Sequence, residues 1–192
     1  RDQYVADPAF VEVPVKGLLD PEYVTLRAAL IGADAGPAPS AGFPAPIQRG
    51  QDSTIEATGT SHFVVVDAAG NVASMTTTVE SLFGSGRAVG GFMLNNQLTD
   101  FSFNPIAADG AMVANAVDGG KRPRSSMAPV IVLDGKGEIV AALGSPGGSA
   151  ILGYNAKTLV GLLAWELPLQ QAIDLPNLIP RGEDYFGEVS KF

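Results

Sequence analysis

The chain has 192 residues, of which 46% are apolar and only 17% charged, and this balance indicates a globular protein with a buried core. The net charge of −8, relieved by one short basic cluster at 121–124, argues against nucleic-acid binding. Zero cysteines exclude thiolate catalysis and cysteine-bound metals, one histidine excludes a multi-histidine metal site, and no apolar run reaches the ~18 residues of a membrane span.

The N-terminal part of the chain predicts one short helix and a long connector. Asp20 followed by Pro21 is typical of an N-cap and a first helical position, and the helix is expected to stop at Gly32. Residues 33–53 contain four prolines among Ala, Gly and Ser, which predicts an extended connector and a boundary in the chain.

A β-hairpin is predicted after the connector, with β-rich runs at 61–67 and 72–79. If the loop covers residues 68–70, Asp67 lies opposite Asn71, and the same register places Thr60 opposite Thr78. Because side chains alternate along a strand, the hairpin has two faces of different character. The polar face carries Thr60, His62, Ser74, Thr76 and Thr78. The apolar face carries Phe63, Val65, Ala73 and Met75.

The second half of the chain alternates between strand and helix patterns. Strands are expected at 111–116, 128–133 and 138–143, and helices at 149–166, with Ser149 as a cap, and at 169–173. Antiparallel hairpins followed by helices indicate an α+β fold.

Nucleophilic catalysis has few candidate groups in this chain. Ser61 points away from His62 on the strand, so the two do not form a dyad, and His62 is interpreted as a hydrogen-bonded strand residue. A threonine at a chain's N-terminus needs no histidine, because its own α-amine, with a pKa near about 8, can accept the hydroxyl proton. Thr60 follows a glycine just past the connector and suits this chemistry, although an ordinary strand-initiating threonine is the alternative.

Two further segments carry groups that could bind a substrate or stabilise a negative charge. The glycine-rich segment 144–149 precedes a helix and offers backbone N–H groups for an anion or an oxyanion, or it is simply a glycine turn. It lacks the lysine of a nucleotide-binding P-loop. Asp100 follows a run of amide side chains, and it could pair with a substrate amine or cap a turn.

Six segments in this order resemble the γ-glutamyltransferase (γ-glutamyltranspeptidase) family of N-terminal-nucleophile hydrolases. They are 60–71, 83–86, 94–97, 100–102, 121–127 and 144–149. The resemblance implies part of an αββα sandwich, with antiparallel sheets between helical layers, truncated at both ends. Residues 1–59 are expected to be the C-terminal end of a large-subunit segment with its proline-rich linker. Residues 60–192 are expected to be most of the small-subunit catalytic segment.

The resemblance also implies roles for individual residues. Autocatalytic cleavage of a zymogen between Gly59 and Thr60 would free Thr60 as the nucleophile, with Thr78 as a second threonine that hydrogen-bonds it. Gly147 and Gly148 would supply the oxyanion amides. The remaining matched positions would bind the glutamyl group, with Glu80, Gln97 and Asp100 at the α-amine and Ser125 and Ser126 at the α-carboxylate.

The implied reaction is attack by Thr60 on the γ-amide of glutathione or another γ-glutamyl compound. Water, an amino acid or a peptide then takes the glutamyl group, and no cofactor or metal is implied. The expected partners are these small molecules and the remainder of the large subunit, in a periplasmic or extracellular location. This segment alone is expected to be inactive or nearly so. Two alternatives are a cephalosporin or glutaryl acylase of the same superfamily and a non-catalytic binding homologue.

Overall fold

The computed structural model describes residues 1–34, 36–37, 39–54, 59–181 and 184–188, without the side chains of residues 181 and 184. Their chain contacts divide them into two compact units. The first unit is built from described residues within 1–55, 98–124 and 181–184. The second is built from those within 56–97, 125–180 and 185–192. The first unit thus combines chain that precedes Thr60 with chain that follows it.

The first unit contains two short helices near the N-terminus, α1 (Val15–Leu18) and α2 (Pro21–Ala28). The predicted N-cap is confirmed, because the Asp20 carboxylate accepts hydrogen bonds from the backbone N–H groups at the start of α2. Helix α2 ends before the expected stop at Gly32, since its last turn tightens into bonds between residues three apart, such as that from the Leu30 N–H to the Arg27 carbonyl.

The rest of the first unit is largely irregular. The described part of the predicted connector at 33–53 contains neither helix nor strand, apart from a single bridge between Gly50 and Val113. The strand expected at 111–116 is wrong, because only Met112 and Val113 make isolated bridges before the chain turns. Fully buried Asn115 bonds to loop backbone instead of to a neighbouring strand, and these non-local bonds override the local apolar pattern.

The strands pair into four two-stranded sheets among the described residues, and the first three pairs are antiparallel. The strands are β1 (Thr60–Val66), β2 (Val72–Thr78), β3 (Ala88–Val89), β4 (Phe92–Met93), β5 (Val130–Leu133), β6 (Ile139–Leu143), β7 (Leu178–Arg181) and β8 (Asp184–Gly187). The other elements of the described residues are two 3-10 turns, Gln97–Asp100 and Gly148–Ala150, and two helices, α3 (Ile151–Leu163) and α4 (Leu169–Asp174). The α+β composition is as the sequence predicts.

The hairpin of β1 and β2 has the predicted register, with Thr60 opposite Thr78 and His62 opposite Thr76. Its polar face is the packed one: Ser74 on this face donates a hydrogen bond of 3.2 Å to the carbonyl of Leu143 in β6. The apolar face is open to solvent, with Phe63 45% exposed. The hydroxyl-rich face therefore points toward the rest of the second unit.

Strands β5 and β6 and helices α3 and α4 start and end within three residues of the predicted bounds, whereas β7 and β8 were not predicted. One expectation is wrong, because Ser149 does not cap α3: it lies inside the 3-10 turn that precedes the helix, and Ala150 holds the capping position. The backbone of Gly147, with φ near 131°, begins this turn before Ser149 is reached. None of the helices in the described ranges has the length and apolar character needed to cross a bilayer.

Candidate active site

A pocket of about 690 Å³ lies in the second unit, and the start of β1 forms part of its wall. Gly59, Thr60 and His62 line it on one side, and the glycine-rich loop Gly144–Gly147 lines it on another. Residues of α3, among them Tyr154, and of α4, among them Ile173, also line it. The structure therefore brings the predicted nucleophile and one predicted oxyanion glycine to a common cavity.

The bond between Gly59 and Thr60 is held by Thr78 on the neighbouring strand. The Thr78 hydroxyl donates a hydrogen bond of 2.8 Å to the Gly59 carbonyl oxygen, and it accepts one of 2.7 Å from the Glu80 N–H. The resemblance expects this hydroxyl to bond the nucleophile. In the uncut chain it is directed at the carbonyl group immediately before Thr60, where it withdraws electron density from the carbonyl carbon.

Gly59 is required by the close approach of another backbone segment. A Cβ atom at this position would lie 1.9 Å from the Glu80 carbonyl oxygen, which no side chain can occupy. The residue before Thr60 is thus pressed against the turn that follows β2. This contact holds the Gly59 carbonyl group next to the turn that contains Thr78 and Glu80.

His62 behaves as the hydrogen-bonded strand residue that the sequence predicts. Its Nδ1 lies 2.9 Å from the Thr76 hydroxyl, and its Nε2 is buried without a hydrogen-bond partner among the described residues. The ring packs directly on Gly144, where a Cβ atom would lie 2.3 Å from it. Burial lowers the pKa of His62 below its usual 6.5, so the imidazole is neutral at pH 7.

The two predicted oxyanion glycines lie at the start of the helical segment. Gly147 and Gly148 have φ values near 131° and 56°, which favour glycine, and Gly148 opens the 3-10 turn that leads into α3. A Cβ atom at Gly147 would also lie 2.5 Å from the Tyr154 ring. Their amides therefore stand at a helix N-terminus, which favours negative charge.

Glu80 is buried in a left-handed backbone conformation, with φ near 75°, which is strained for a residue with a side chain. The Asn96 side-chain amide donates a short hydrogen bond to the Glu80 carboxylate. The Asn96 oxygen in turn accepts bonds from the N–H and hydroxyl of Ser81, at 3.1 and 3.0 Å. Sequence reasoning gives Asn96 no role of its own. The one feature of the sequence that could have indicated a role for Asn96 is its position directly before Gln97 in a run of amide side chains.

Gln97 and Asp100 are the first and last residues of one 3-10 turn. Gln97 is half-buried, and its N–H donates a hydrogen bond of 2.9 Å to the Asn95 side chain. Asp100 is buried in the first unit, and its carbonyl oxygen accepts a bond of 2.7 Å from the side chain of Asn115.

The two predicted carboxylate-binding serines differ in their surroundings. Ser125 is exposed, and its hydroxyl accepts a hydrogen bond of 3.1 Å from the Met127 N–H. Ser126 is buried, and its hydroxyl has no hydrogen-bond partner among the described residues. A buried hydroxyl with unused bonding capacity suits a polar ligand, because leaving it unpaired costs free energy.

Comparison with known proteins bears on this arrangement. The family model for gamma-glutamyltranspeptidase matches residues 1–184. The chain is 39% identical over 189 residues to the glutathione hydrolase proenzyme of Bacillus subtilis (strain 168), which covers 93% of this chain and 31% of that protein. It is 35% identical over 179 residues to the Acylase ACY 1 proenzyme of Pseudomonas sp. (strain SE83), which covers 92% of this chain and 29% of that protein.

A solved structure agrees with the sequence comparisons. The crystal structure of an acivicin-inhibited gamma-glutamyltranspeptidase matches with a TM-score of 0.60 and 31% sequence identity, over 68% of this chain and 73% of that chain. The chain spans about a third of the length of the curated relatives. The likeness in structure confirms the N-terminal-nucleophile hydrolase fold. The chain belongs to the γ-glutamyltranspeptidase family.

Proposed function

We propose that the protein containing this chain is a self-cleaving γ-glutamyltransferase and glutathione hydrolase with Thr60 as its nucleophile. The observation that carries the proposal is the hydrogen bond from the Thr78 hydroxyl to the Gly59 carbonyl oxygen, next to Thr60 in strand β1. This bond polarises the one peptide group whose cleavage would expose the amine of Thr60. The chain then divides at 59/60 into a large-subunit and a small-subunit segment.

Self-cleavage follows from this geometry as an acyl shift. The Thr60 hydroxyl oxygen attacks the Gly59 carbonyl carbon, a C–O bond forms, the Gly59–Thr60 C–N bond breaks, and the hydroxyl proton passes to the Thr60 nitrogen as it leaves. The Thr78 hydroxyl stabilises the negative charge that develops on the Gly59 carbonyl oxygen. Water hydrolyses the resulting ester, which leaves Gly59 as a carboxylate and Thr60 with a free α-amine.

The free α-amine of Thr60 is the proposed general base of the turnover reaction. With a pKa near about 8, it accepts the hydroxyl proton as the oxygen attacks the γ-amide carbon of the substrate. The amides of Gly147 and Gly148 stabilise the oxyanion, and the leaving amine takes the proton. Water, an amino acid or a peptide then attacks the γ-glutamyl ester and restores Thr60.

We propose that recognition of the glutamyl group uses the polar residues at the positions that match the family. The α-ammonium group is placed against Glu80, Gln97 and Asp100, and the α-carboxylate against Ser125 and Ser126. Burial of the Glu80 carboxylate and the unpartnered hydroxyl of Ser126 support this assignment. The proposed substrates are glutathione and other γ-glutamyl compounds, and the proposed partner is the remainder of the large subunit, in a periplasmic or extracellular location.

A second candidate function is that of a cephalosporin or glutaryl acylase, favoured by the 35% identity to the Acylase ACY 1 proenzyme. Glutaryl groups have no α-amine, so an acylase has no use for three residues that bind one. The buried carboxylate of Glu80 and its Asn96 partner therefore favour the glutamyl substrate. A non-catalytic homologue would keep the fold without self-cleavage.

Assays of the whole protein on two chromogenic amides separate these functions. We expect release of p-nitroaniline from γ-glutamyl-p-nitroanilide and loss of this activity in Thr60→Ala. Activity on glutaryl-p-nitroanilide alone would establish the acylase instead. An intact protein that turns over neither amide would be the non-catalytic homologue.

A further inference from the structure

We propose that ion pairs in the first unit tie the chain before Thr60 to the chain after it and position Asp100 for the substrate amine. We define the arginine clamp as Arg122 and Arg124 with the carboxylates of Asp2, Asp7 and Asp52. The assignment of Asp100 to the amine rests on the proposed function. The clamp itself rests on the contacts described below.

The inner pair of the clamp is fully buried. The Arg124 side chain is 0% exposed, and its Nη2 lies 3.0 Å from Asp52 Oδ2 and 3.2 Å from Asp2 Oδ1. Asp52 also accepts hydrogen bonds from the Ser102 hydroxyl and, at 2.8 Å, from the Thr54 N–H. Two charges survive burial only when such partners surround them, so the pair has one well-defined geometry.

The protonation of Asp52 agrees with this description. Burial alone would raise the pKa of the Asp52 carboxyl, but the hydrogen bonds from Ser102 and Thr54 and the charge of Arg124 outweigh it and hold the pKa below its usual value. The Asp52 carboxyl is therefore ionised at neutral pH.

The outer pair is a bidentate contact. The buried Asp7 carboxylate accepts three hydrogen bonds from Arg122: 3.0 Å from its N–H, 3.1 Å from Nε and 2.9 Å from Nη2. Such fork-shaped, charge-assisted pairs fix orientation as well as distance. With Pro123 between the two arginines, the backbone over 122–124 is held at both ends.

The clamp crosses the proposed cleavage point. All three carboxylates precede Thr60, whereas both arginines follow it. Once the Gly59–Thr60 bond is cut, these ion pairs are contacts between two separate chains. Because the Arg124–Asp52 pair is buried on both sides and the Asp7 carboxylate is buried under Arg122, these contacts hold the cleaved segments together without the covalent link.

The clamp reaches Asp100 through one bridging side chain. The Arg124 N–H donates a hydrogen bond of 2.9 Å to Asn115 Oδ1, and Asn115 Nδ2 donates one of 2.7 Å to the Asp100 carbonyl oxygen. Ser102, which bonds Asp52, also donates its N–H to the Asn115 carbonyl. Arg124 and Asn115 are thus positioning residues, which act on the amine through the backbone of Asp100.

The test compares conservative clamp variants with matched exposed variants in the whole protein. Asp52→Asn and Arg124→Lys alter the inner pair, while Asp34→Asn and Arg87→Lys make the same changes at exposed positions. In the clamp variants we expect KM for γ-glutamyl-p-nitroanilide to rise about tenfold with kcat within about twofold, the pattern of weakened ground-state binding. The exposed variants should match the unaltered protein.

Two competitive inhibitors isolate recognition of the amine. The inhibition constant of L-glutamate should rise by the same factor as KM, whereas that of glutarate, which lacks the amine, should stay unchanged. Equal changes for both inhibitors, or no change in KM, would overturn the positioning role. If Arg124→Lys fails to fold, Arg122→Gln replaces it as the test, because the Arg122 side chain is 76% exposed and folding should tolerate its loss.

Urea unfolding of the uncut Thr60→Ala protein tests the clamp without any activity. Asp52→Asn and Arg122→Gln in this background should lower the unfolding midpoint, and Asp34→Asn should not. Unchanged midpoints would overturn the clamp. A different outcome is that the midpoints fall but the whole protein neither cleaves itself nor turns over γ-glutamyl-p-nitroanilide. That result would support the contact between the two segments. It would contradict the proposed function, and the positioning role, which rests on that function, would fall with it.

Discussion

Thr78 connects the proposed cleavage bond to the turn that carries Glu80. Its hydroxyl donates to the Gly59 carbonyl oxygen and accepts from the Glu80 N–H, so one side chain serves both the bond to be cut and the backbone of a proposed substrate contact. A hydroxyl can do both because it is at once a donor and an acceptor. Valine has nearly the same shape but neither function.

Thr78→Val should therefore slow self-cleavage strongly. Loss of one donor to a developing oxyanion costs roughly 100-fold or more in rate, and Thr78→Ser, which keeps the hydroxyl, should cleave at a near-normal rate. A time course of cleavage on denaturing gels measures this. Thr77→Val is the matched control, because Thr77 is exposed on the opposite face of β2. Normal cleavage of Thr78→Val would show that the hydrogen bond is not used.

His62 gives the site a dependence on pH. Its pKa is lowered by burial, so the neutral imidazole stabilises the fold above the ordinary pKa of 6.5, and this contribution is lost as the pH falls through the lowered value. His62→Asn keeps a polar atom near Thr76 but does not titrate. We expect the free energy of unfolding of the unaltered protein to fall more steeply between about pH 7 and 5 than that of the variant. Parallel urea curves for the two proteins would contradict this.

The β1–β2 hairpin and the elements β5, β6, α3 and α4 were predictable, because local rules decide them, whereas the short strands β3, β4, β7 and β8 were not predicted. A short turn and the period-two alternation of side chains fix the register of β1 and β2, and Thr60 opposite Thr78 followed directly. The strand predicted at 111–116 failed because Asn115 bonds to residues distant in sequence. The ion pair of Arg122 with Asp7 was not predicted from the basic cluster at 121–124, because Asp7 lies 115 positions away in the sequence.

The ion pair between Arg122 and Asp7 should be lost in acid, when the Asp7 carboxylate is protonated. The hydrogen bonds and charge of Arg122 keep the pKa of Asp7 well below its usual 3.8, so the stability that the pair contributes is complete above that value and is lost as the pH falls further. Urea midpoints measured downward from about pH 5 should fall more for the unaltered protein than for Arg122→Gln, which lacks the pair. A variant that is equally sensitive to acid would contradict the account.

At the scale of the whole molecule, the composition fits the proposed chemistry. The chain has no cysteine to supply a thiolate, and its one histidine, His62, is bound to Thr76 on the strand. A threonine that supplies its own amine needs neither, but only after the peptide bond before it is cut. The family and its fold were recognisable from six sequence segments. The hydrogen bond from Thr78 to the Gly59 carbonyl was not, because it depends on the uncut chain.

The central claim is that the Gly59–Thr60 bond is cut by Thr60 itself, and the masses of the matured whole protein test it most directly. We expect two chains, with the smaller one beginning at Thr60 and carrying a free α-amine, and a single uncut chain for Thr60→Ala. A matured protein without an N-terminus at Thr60, or cleavage at this bond in Thr60→Ala, would contradict it.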